Sequence, residues 1–251
     1  MDFVKMEGLG NDFIVVWGGH VPNTDAIVRW CDRRFGVGAD GVLSVDLSGP
    51  ERIRMRYWNA DGGEAEMCGN GLRCVARLAV LRNWVSGPWL VVETKAGDMP
   101  AEMKPGGHVR ALVGIPKATG VATSQGARVH LVDIGNPHAV VFVDDPAKAP
   151  VATLGKKIEH DPQFPNGTNV EFVTPRRADR IEMRIWERGV GETLGSGTGA
   201  TAAAFASVVH RGVAAPVHVE LPGGELLIEL DGEEAWMTGP ANLVFEGTLP
   251  D

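Results

Sequence analysis

Two stretches of the chain, IRMRYWNADGGEAEMCGNG at residues 53–71 and IEMRIWERGVGETLGSGTG at residues 181–199, match each other without a gap at an offset of 128 positions. A fainter match pairs GNDFIVV at 10–16 with GNPHAVV at 135–141, at an offset of 125. Because the two offsets nearly agree, they indicate two copies of one domain, with a period much longer than that of solenoid repeats. The alternative is a coincidence between two strand–turn–helix units.

The join between the copies is predicted near ATGVATSQGA, residues 118–127, because this segment is small, polar and contains glycine. The predicted domains are therefore residues 1–119 and 120–251. The last strand, near residues 242–249, is a candidate to return to the first domain.

Short segments rich in β-branched and aromatic residues predict mostly strands in each copy. One helix per copy is predicted directly after a glycine-rich turn. These helices are GLRCVARLAVLRNW at 71–84 and GATAAAFASVVHRG at 199–212, with Gly212 as a stop. A domain dominated by strands around one central helix is α+β rather than a doubly wound sheet.

Length, charge and cysteine content exclude several classes of protein. The 251 residues suit one large or two ordinary domains, and a net charge of −8 disfavours a nucleic-acid partner, which requires a basic surface. No apolar run approaches the roughly 18 residues of a membrane span, and MDFVKMEGLGNDF at the N-terminus lacks the signal-peptide pattern. Cys31, Cys68 and Cys74 lack zinc-site spacing, so a cytosolic protein with free thiols is expected.

Cys68 and Ser196 occupy equivalent positions at the start of the two glycine-rich turns. A helix N-terminus presents backbone N–H groups and partial positive charge, which suits a carboxylate or phosphate ligand. The same position stabilises a thiolate, so Cys68 is expected to have a lowered pKa and to act as a base or nucleophile. The alternative is that Cys68 is only a small N-cap, although cysteine caps poorly beside serine. Cys74 and Cys31 are expected to be structural.

Six motifs together resemble the diaminopimelate epimerase family. They are KMEGLGNDF (5–13), RRFGVGADG (33–41), NADGGEAEMCGNGLRC (59–74), GNPHAV (135–140), GTNVEF (167–172) and ERGVGETLGSGTGA (187–200). The resemblance implies two pseudo-symmetric domains, each a β-roll around a central helix, with the active site in the cleft between them. It also implies a cofactor-independent isomerase of lysine and peptidoglycan precursor synthesis. Such an enzyme removes the α-proton of LL-diaminopimelate on one face and returns a proton on the other.

The resemblance also assigns roles to individual residues. Cys68 and residue 196 are the two acid/base positions, while His138 and Glu187 orient or polarise them, and Glu187 is a candidate for holding the substrate ammonium. Backbone N–H groups that would bind the reacting carboxylate belong to Gly69, Asn70, Gly197 and Thr198. The distal amino-acid end would be held by Asn11, Asn59, Asn136, Asn169 and Arg188. Glu64 and Glu192, which match in the repeat, are expected to be structural partners of the turns.

The family pattern has a second cysteine where this chain has Ser196. A serine hydroxyl has no ionised fraction near neutral pH, so activity is expected to be impaired in the direction that needs residue 196 as the base. Three explanations stay open. The serine was introduced deliberately, or it is natural in a branch that uses another base or a water. Otherwise the chain is a related racemase, isomerase or dehydratase with Cys68 as its sole thiol base.

Three further functions are alternatives. A cysteine hydrolase would use Cys68, His138 and Asn136. A nucleotide-binding module would use residues 195–200, which fit G-x-G-x-x-A but do not follow an apolar strand directly. A non-catalytic protein would bind diaminopimelate without proton exchange. For the epimerase we expect no cofactor, no metal, a small-molecule amino-acid substrate, no nucleic-acid or membrane partner and a cytoplasmic location. A homodimer is a candidate assembly, because members of the family are often dimers.

Overall fold

Tertiary contacts in the computed structural model, which describes residues 1–249, group the chain into two units. The first unit takes in Met1–Ala111 and Gly239–Asp251, and the second takes in Leu112–Thr238. Pro250 and Asp251, the end of the predicted second domain, lie outside the described residues. The domain boundary at 119/120 stays a prediction.

Strands dominate both units. In chain order they are β1 (Asp2–Gly8), β2 (Asn11–Trp17), β3 (Gly41–Gly49), β4 (Arg52–Asn59), β5 (Glu64–Ala65), β6 (Trp89–Thr94), β7 (Gly97–Met103), β8 (His108–Gly114), β9 (Lys117–Ser124), β10 (Ala127–Asp133), β11 (Pro137–Phe142), β12 (Asn169–Arg177), β13 (Arg180–Glu187), β14 (Gly191–Thr193), β15 (Val217–Leu221), β16 (Gly224–Asp231), β17 (Glu234–Pro240) and β18 (Asn242–Thr248). The α-helices are α1 (Thr24–Cys31), α2 (Gly69–Leu81), α3 (Lys156–Glu159) and α4 (Gly197–Arg211).

The first unit arranges its strands in the order β18–β1–β2–β3–β4–β6–β7–β8, with the short β5 beside β4. Neighbours are antiparallel except at β2–β3 and β4–β6. Parallel strands need a crossover connection, and α1 and α2 lie in these two connections. The C-terminal strand β18 thus completes the sheet of the first unit by pairing with β1.

The second unit repeats this arrangement in the order β9–β10–β11–β12–β13–β15–β16–β17, with β14 beside β13. Its parallel pairs are β11–β12 and β13–β15, and its crossovers carry α3 and α4. The register repeats as well, because Arg52 lies opposite Val91 and Arg180 lies opposite His218. The prediction of an α+β fold built from two similar domains is confirmed.

Both central helices begin two residues earlier than predicted, because Cys68 and Ser196 are themselves the N-caps of α2 and α4. The glycine-rich turns are therefore the first turns of the helices. Close packing requires glycine there, since a Cβ on Gly71 would lie 3.0 Å from the Leu43 side chain. A Cβ on Gly199 would likewise come within 3.4 Å of three neighbouring atoms.

The central helices bury different surfaces. Leu72, Val75 and Leu78 of α2 join the hydrophobic core of the first unit. The buried side of α4 consists largely of alanine, and a left-handed Gly212 ends this helix as predicted. The shorter helices α1 and α3 were not predicted, although α1 has a regular cap at Asn23. Among the described residues, no helix is long and apolar enough to cross a membrane.

Candidate active site

Cys68 stands at the entrance of α2 with an extended backbone, at φ −139° and ψ 117°. Its side chain makes no capping hydrogen bond to the helix. The thiol lies instead against Asn11 at the start of β2, with Sγ 3.6 Å from Asn11 Oδ1. The side chain is half-buried. Cys68 therefore occupies the cap position without a capping bond from its side chain, and its thiol contacts Asn11 instead.

Hydrogen bonds connect Asn11 to two charged groups. Asn11 Nδ2 donates to Asp40 Oδ2 at 2.7 Å, and Asn11 Oδ1 accepts from Asn70 Nδ2 at 3.3 Å. Asn70 Oδ1 in turn accepts from Arg73 Nη2 at 2.8 Å. Arg73 is fully buried, and burial lowers the pKa of its guanidinium. These contacts hold the Asn11 carbonyl oxygen toward the thiol of Cys68.

The other two cysteines have the structural character that the sequence predicts. Cys31 lies at the end of α1 and Cys74 within α2, and both are buried. Burial raises the pKa of the Cys31 thiol to about 11 and that of the Cys74 thiol to about 12. Neither forms a thiolate readily near neutral pH, so thiol chemistry falls to Cys68.

Ser196 stands at the same place in α4 and does perform the capping. Its φ of −135° and ψ of 127° are close to those of Cys68, and its Oγ accepts a hydrogen bond from Gly199 N at 3.2 Å. The residue is buried. A hydroxyl oxygen accepts backbone hydrogen bonds far better than a thiol sulfur does, which explains the difference between the two caps.

Glu187 ends β13 and has an environment that favours its protonated form. Burial raises the pKa of its carboxyl, while hydrogen bonds from Thr193 and Ser196 and the charge of His138 act in the opposite direction. The Thr193 hydroxyl donates to Glu187 Oε1. A carboxyl with a raised pKa suits proton transfer near neutral pH. Glu187 therefore contacts residue 196, and its carboxyl has a pKa shifted toward neutral pH.

His138 lies on β11 between two oxygen atoms. Its Nδ1 is 2.6 Å from Glu171 Oε1 on the neighbouring β12, and its Nε2 is 3.0 Å from Asn136 Oδ1. The side chains of His138 and Glu171 are both fully out of solvent. Asn136 thus contacts a proposed catalytic side chain in the second unit.

Asn169 and Arg188 are neighbours, but they differ in exposure. Asn169 is buried, with Nδ2 donating to Pro137 O and Oδ1 accepting from Arg188 N, each at 3.0 Å. The Arg188 side chain is exposed, and its Nη1 donates to Asn166 O at 3.2 Å. It lines a groove of about 420 Å³ formed with residues 159–162, residues 164–167 and Gly189. Asn169 thereby fixes the backbone from which the Arg188 side chain extends.

The repeated glutamates have the structural role that the sequence predicts. Glu64 pairs with Arg56 at 2.8 Å, and Glu192 pairs with Arg184 at 2.7 Å between equivalent atoms. The hydrogen bond from Arg56 lowers the pKa of Glu64 to about 2, so this carboxylate stays charged. The first pair links the short strand β5 to β4, and the second links the short strand β14 to β13.

The predicted residues fall into two groups. The first unit brings together Cys68, Asn11 and Asn70, while Asn59 ends β4 with an exposed side chain. The second unit brings together Ser196, Glu187, His138 and Asn136. The predicted N–H donors open the two central helices, at Gly69, Asn70, Gly197 and Thr198. The described residues contain no cluster of His, Cys, Asp and Glu that could hold a metal ion.

Three residues in these groups were missed from the sequence: Asp40, Arg73 and Glu171. The strongest signal was at Glu171, a charged residue within the buried strand segment Val170–Val173. In a strand buried on both faces, such a residue needs a polar partner. Arg73 gave a similar signal as a charged residue in the apolar part of α2.

The chemistry available is proton transfer. One unit supplies a half-buried thiol at a helix N-terminus, and the other supplies a hydroxyl, a carboxyl and an imidazole at an equivalent helix N-terminus. Helix N-termini also attract carboxylates. Each helix start by itself therefore suits a carboxylate next to a group that can take or give a proton.

Comparison with known proteins identifies close relatives over the full chain. A family model described as diaminopimelate epimerase matches residues 3–119 and 130–244. The diaminopimelate epimerase of Thermosynechococcus vestitus is 41% identical over 284 aligned positions, covering 100% of this chain and 99% of the relative. That of Heliobacterium modesticaldum is 42% identical over 280 positions and covers 100% of both chains.

Solved structures with the same fold are more distant in sequence. A phenazine biosynthesis protein of the PhzF family from Bacillus anthracis superposes with a TM-score of 0.76 at 16% identity, covering 100% of this chain and 99% of that one. A hydroxyproline epimerase from Agrobacterium vitis gives 0.71 at 17% identity, covering 98% and 91%. These likenesses establish the two-domain fold alone.

Proposed function

The chain belongs to the diaminopimelate epimerase family, and we propose that Cys68 is the thiol that acts as its acid/base group. The reaction of the family is the PLP-independent epimerisation of LL-diaminopimelate to meso-diaminopimelate. The reaction belongs to lysine biosynthesis. The alternatives of another isomerase, a dehydratase or a cysteine hydrolase are not favoured, because full-length relatives at 41% and 42% identity carry this one name.

The observation that carries the assignment of Cys68 is the position of its thiol. It lies at the N-terminus of α2, makes no capping bond and contacts Asn11, while Cys31 and Cys74 are buried thiols with raised pKa values. A helix N-terminus stabilises a thiolate, which is the form that accepts a proton.

We propose that the reacting carboxylate of the substrate binds to the first-turn N–H groups of the central helices. The first turn of an α-helix directs N–H groups that lack intrahelical acceptors toward solvent. As the α-proton leaves, negative charge spreads into the carboxylate, and these donors stabilise it more strongly than they stabilise the ground state. The donors are those of Gly69, Asn70, Gly197 and Thr198.

The second acid/base position is Ser196 with its neighbours Glu187 and His138. A serine hydroxyl does not ionise near neutral pH, so it cannot by itself remove the α-proton. Proton removal from this side needs the carboxylate of Glu187 as the final proton acceptor, and without that acceptor it would be slow. We expect the direction that uses Cys68 as the base to be faster. Glu187 would also face the substrate ammonium.

For the distal end of the substrate, the exposed guanidinium of Arg188 suits a carboxylate, which it can pair with through two hydrogen bonds. Asn169 would act by fixing the Arg188 backbone. Asn11, Asn59 and Asn136 would supply amide contacts.

Replacement of Arg188 by Lys should raise KM more than it lowers kcat, because one cationic contact remains.

The test is proton exchange at the α-carbon in D₂O. The enzyme and a Ser196→Cys variant are incubated separately with LL- and meso-diaminopimelate, and deuterium and stereochemistry are followed by NMR. We expect Ser196→Cys to raise the rate of epimerisation by about 10-fold or more, since general acid–base groups contribute about 10²–10⁴-fold. Absence of exchange in both proteins would overturn the substrate assignment.

We further propose a cytoplasmic enzyme that needs no nucleic-acid partner. The three cysteines form no disulfide in the described residues, which suits a reducing compartment, and the net charge is −8. A homodimer stays a prediction that sedimentation of the purified protein would check.

A further inference from the structure

A buried glutamate at the end of α3 is bonded to the chain on both sides of Arg188. Glu159 is 6% exposed, and both of its carboxyl oxygens accept hydrogen bonds. Oε1 accepts from Gly189 N at 2.7 Å, and Oε2 accepts from the indole Nε1 of Trp186 at 2.7 Å. Backbone and indole N–H groups only donate, so the direction of both bonds follows from the atoms themselves. Glu159 therefore holds the residues that flank Arg188 in sequence.

Arg188 lies in a four-residue turn that joins β13 to β14. A hydrogen bond of 3.1 Å closes the turn across residues 187–190, and Gly189 has a left-handed φ of 74°. A β-turn offers the N–H groups of its two central residues no acceptor within the turn. Side chains from outside accept both, since Asn169 bonds to Arg188 N at 3.0 Å and Glu159 bonds to Gly189 N. Two side chains from outside the turn thus fix its conformation.

The connection from α3 to β12 also supports the side chain of Arg188. A Cβ on Gly167 would lie 3.1 Å from both Cγ and Cδ of Arg188, so the aliphatic part of the arginine lies directly against this glycine. The guanidinium Nη1 donates to Asn166 O at 3.2 Å. One continuous segment, residues 159–169, therefore determines where the guanidinium is placed.

The first unit shows that the fold does not need a carboxyl group at this place. Its equivalent turn, residues 59–62, is also closed by a hydrogen bond, of 2.9 Å, but has Ala60 where the second unit has Arg188. The crossover helix α1 ends at the buried Cys31, which lies in an apolar cluster with Trp58, the tryptophan that the repeat places there. The carboxyl group thus occurs in the unit whose turn carries the cation.

Building on the proposed function, in which Arg188 holds the distal carboxylate, we propose that Glu159 is a positioning residue for the distal end of the substrate: it holds the Gly189 N–H and so fixes the turn from which the Arg188 guanidinium reaches that carboxylate. By charge alone, replacement of Glu159 with a neutral residue would strengthen the binding of a carboxylate or leave it unchanged. By loss of positioning, the same replacement weakens binding. The sign of the change separates the two roles.

The first test measures KM and kcat for LL-diaminopimelate, followed as deuterium incorporation at the α-carbon. Glu159→Met has a similar length and accepts hydrogen bonds poorly, so both bonds are lost. We expect KM to rise by about 10-fold, the size of a lost hydrogen bond to a buried group, and kcat to change by less than about threefold. An unchanged or lower KM would overturn the proposal.

Glu159→Gln separates hydrogen bonding from charge. It removes the same charge as Glu159→Met, but its amide oxygen still accepts one bond while its NH₂ group meets the other N–H donor. KM should therefore lie between those of the parent and Glu159→Met. This variant also decides the matter if Glu159→Met does not fold, because a KM no higher than that of the parent would overturn the proposal.

A double-mutant cycle tests whether Glu159 acts through Arg188. In an Arg188→Ala background the guanidinium is absent, so adding Glu159→Gln or Glu159→Met should change KM by less than about twofold, because residues that act on one contact are not additive. If the effects multiply instead, Glu159 influences binding by another path and is not a positioning residue for Arg188.

Asp161→Asn is the matched control. Asp161 lines the same groove, but its carboxylate accepts from Ser124 Oγ at 2.8 Å and from Gln125 Nε2 at 3.0 Å, away from the turn. The substitution removes a negative charge from the groove and leaves the turn intact, so it should not raise KM. A rise as large as that in Glu159→Met would mean that any change in this groove weakens binding, which contradicts a specific role for Glu159.

Arg188→Ala also separates this proposal from the proposed function. If it raises KM and neither Glu159 variant does, Arg188 keeps its role and Glu159 is a packing residue. If Arg188→Ala leaves KM unchanged, the assignment of the distal carboxylate to Arg188 is wrong, and the role of Glu159 falls with it. Absence of exchange in the parent enzyme would overturn both.

Discussion

The two units share one strand order, one helix position and one cap geometry, but they differ in what surrounds the cap. Beneath α2 the equivalent positions are the apolar Phe13 and Leu43, and beneath α4 they are His138 and Glu171. Cys68 does no capping, whereas Ser196 does. A helix N-terminus favours the thiolate form of a cysteine, while a serine hydroxyl in the same place needs a neighbouring base to lose its proton. If Cys68 and Ser196 are the acid/base positions that we propose, the duplicated fold carries out proton transfer in two different ways.

The largest effect should come from removing the thiol. Cys68→Ala removes the thiol that we propose as the acid/base group of the first unit, and we expect α-proton exchange of the isomer it serves to fall by about 10³-fold, within the range for general acid–base groups. NMR in D₂O with each isomer separately measures this. Cys31→Ala, which removes a buried thiol with a pKa of about 11, is the control and should retain exchange. Retained exchange in Cys68→Ala would remove the thiol from the mechanism.

Thiol reactivity should differ strongly between the cysteines. Because burial raises the pKa of Cys74 to about 12, its thiolate fraction near pH 8 is far below that of an ordinary thiol with a pKa of about 8.5. Iodoacetamide should therefore modify Cys68 at least about 100-fold faster than Cys74, as followed by peptide mass spectrometry. Equal rates in the folded protein would show that the cap position gives Cys68 no advantage.

Much of the shared architecture could be predicted from the sequence, because it depends on local patterns. Alternating apolar residues marked strands such as β4 and β13, and the glycine-rich caps marked α2 and α4. Strand pairing is non-local, so the sequence did not specify the order in which β1 lies between β18 and β2. Short strands such as β5 carry too few residues for a pattern.

The same distinction applies to the site. Cys68 and Ser196 could be located because the motif and the helix start coincide in sequence. Glu171 could not be assigned, since its role depends on His138, which is 33 residues away and meets it only through the parallel pairing of β11 and β12. Likewise, Asp40 meets Asn11 only once the preceding loop has folded beside β2. Contacts between distant segments were the missing information.

Replacement of the half-buried carboxyl of Glu187 should stabilise the fold at the expense of activity. The pKa of Glu187 is raised above 4.5 by burial, so the folded state binds its proton more tightly than the unfolded state does. The folded state therefore loses stability as the pH rises from 4.5, the ordinary pKa of a glutamate, through the raised pKa of Glu187. The Glu187→Gln side chain cannot ionise, and the substitution should raise the free energy of unfolding near pH 8 by about 1 kcal/mol, within the range of common stabilising substitutions.

Urea denaturation at several pH values measures this effect. The gain from Glu187→Gln should shrink toward zero as the pH falls below 4.5, where Glu187 is protonated in both states. Glu192→Gln, which replaces an exposed partner of Arg184, is the control and should show no gain at pH 8. A gain that is independent of pH would mean that the charge of Glu187 is not what destabilises the fold.

The smallest effect concerns the caps themselves. Ser196→Ala removes the acceptor for Gly199 N at 3.2 Å, and loss of a serine cap costs about 1 kcal/mol of unfolding free energy. Cys68→Ala removes no capping bond, so its cost should come only from lost packing of a half-buried side chain and be smaller. Chemical denaturation of both variants measures the difference. Equal costs would show that the hydroxyl of Ser196 does not stabilise α4, whereas the expected difference would show that it does. A Ser196→Cys enzyme should then epimerise faster and unfold more easily, because sulfur replaces a good capping oxygen.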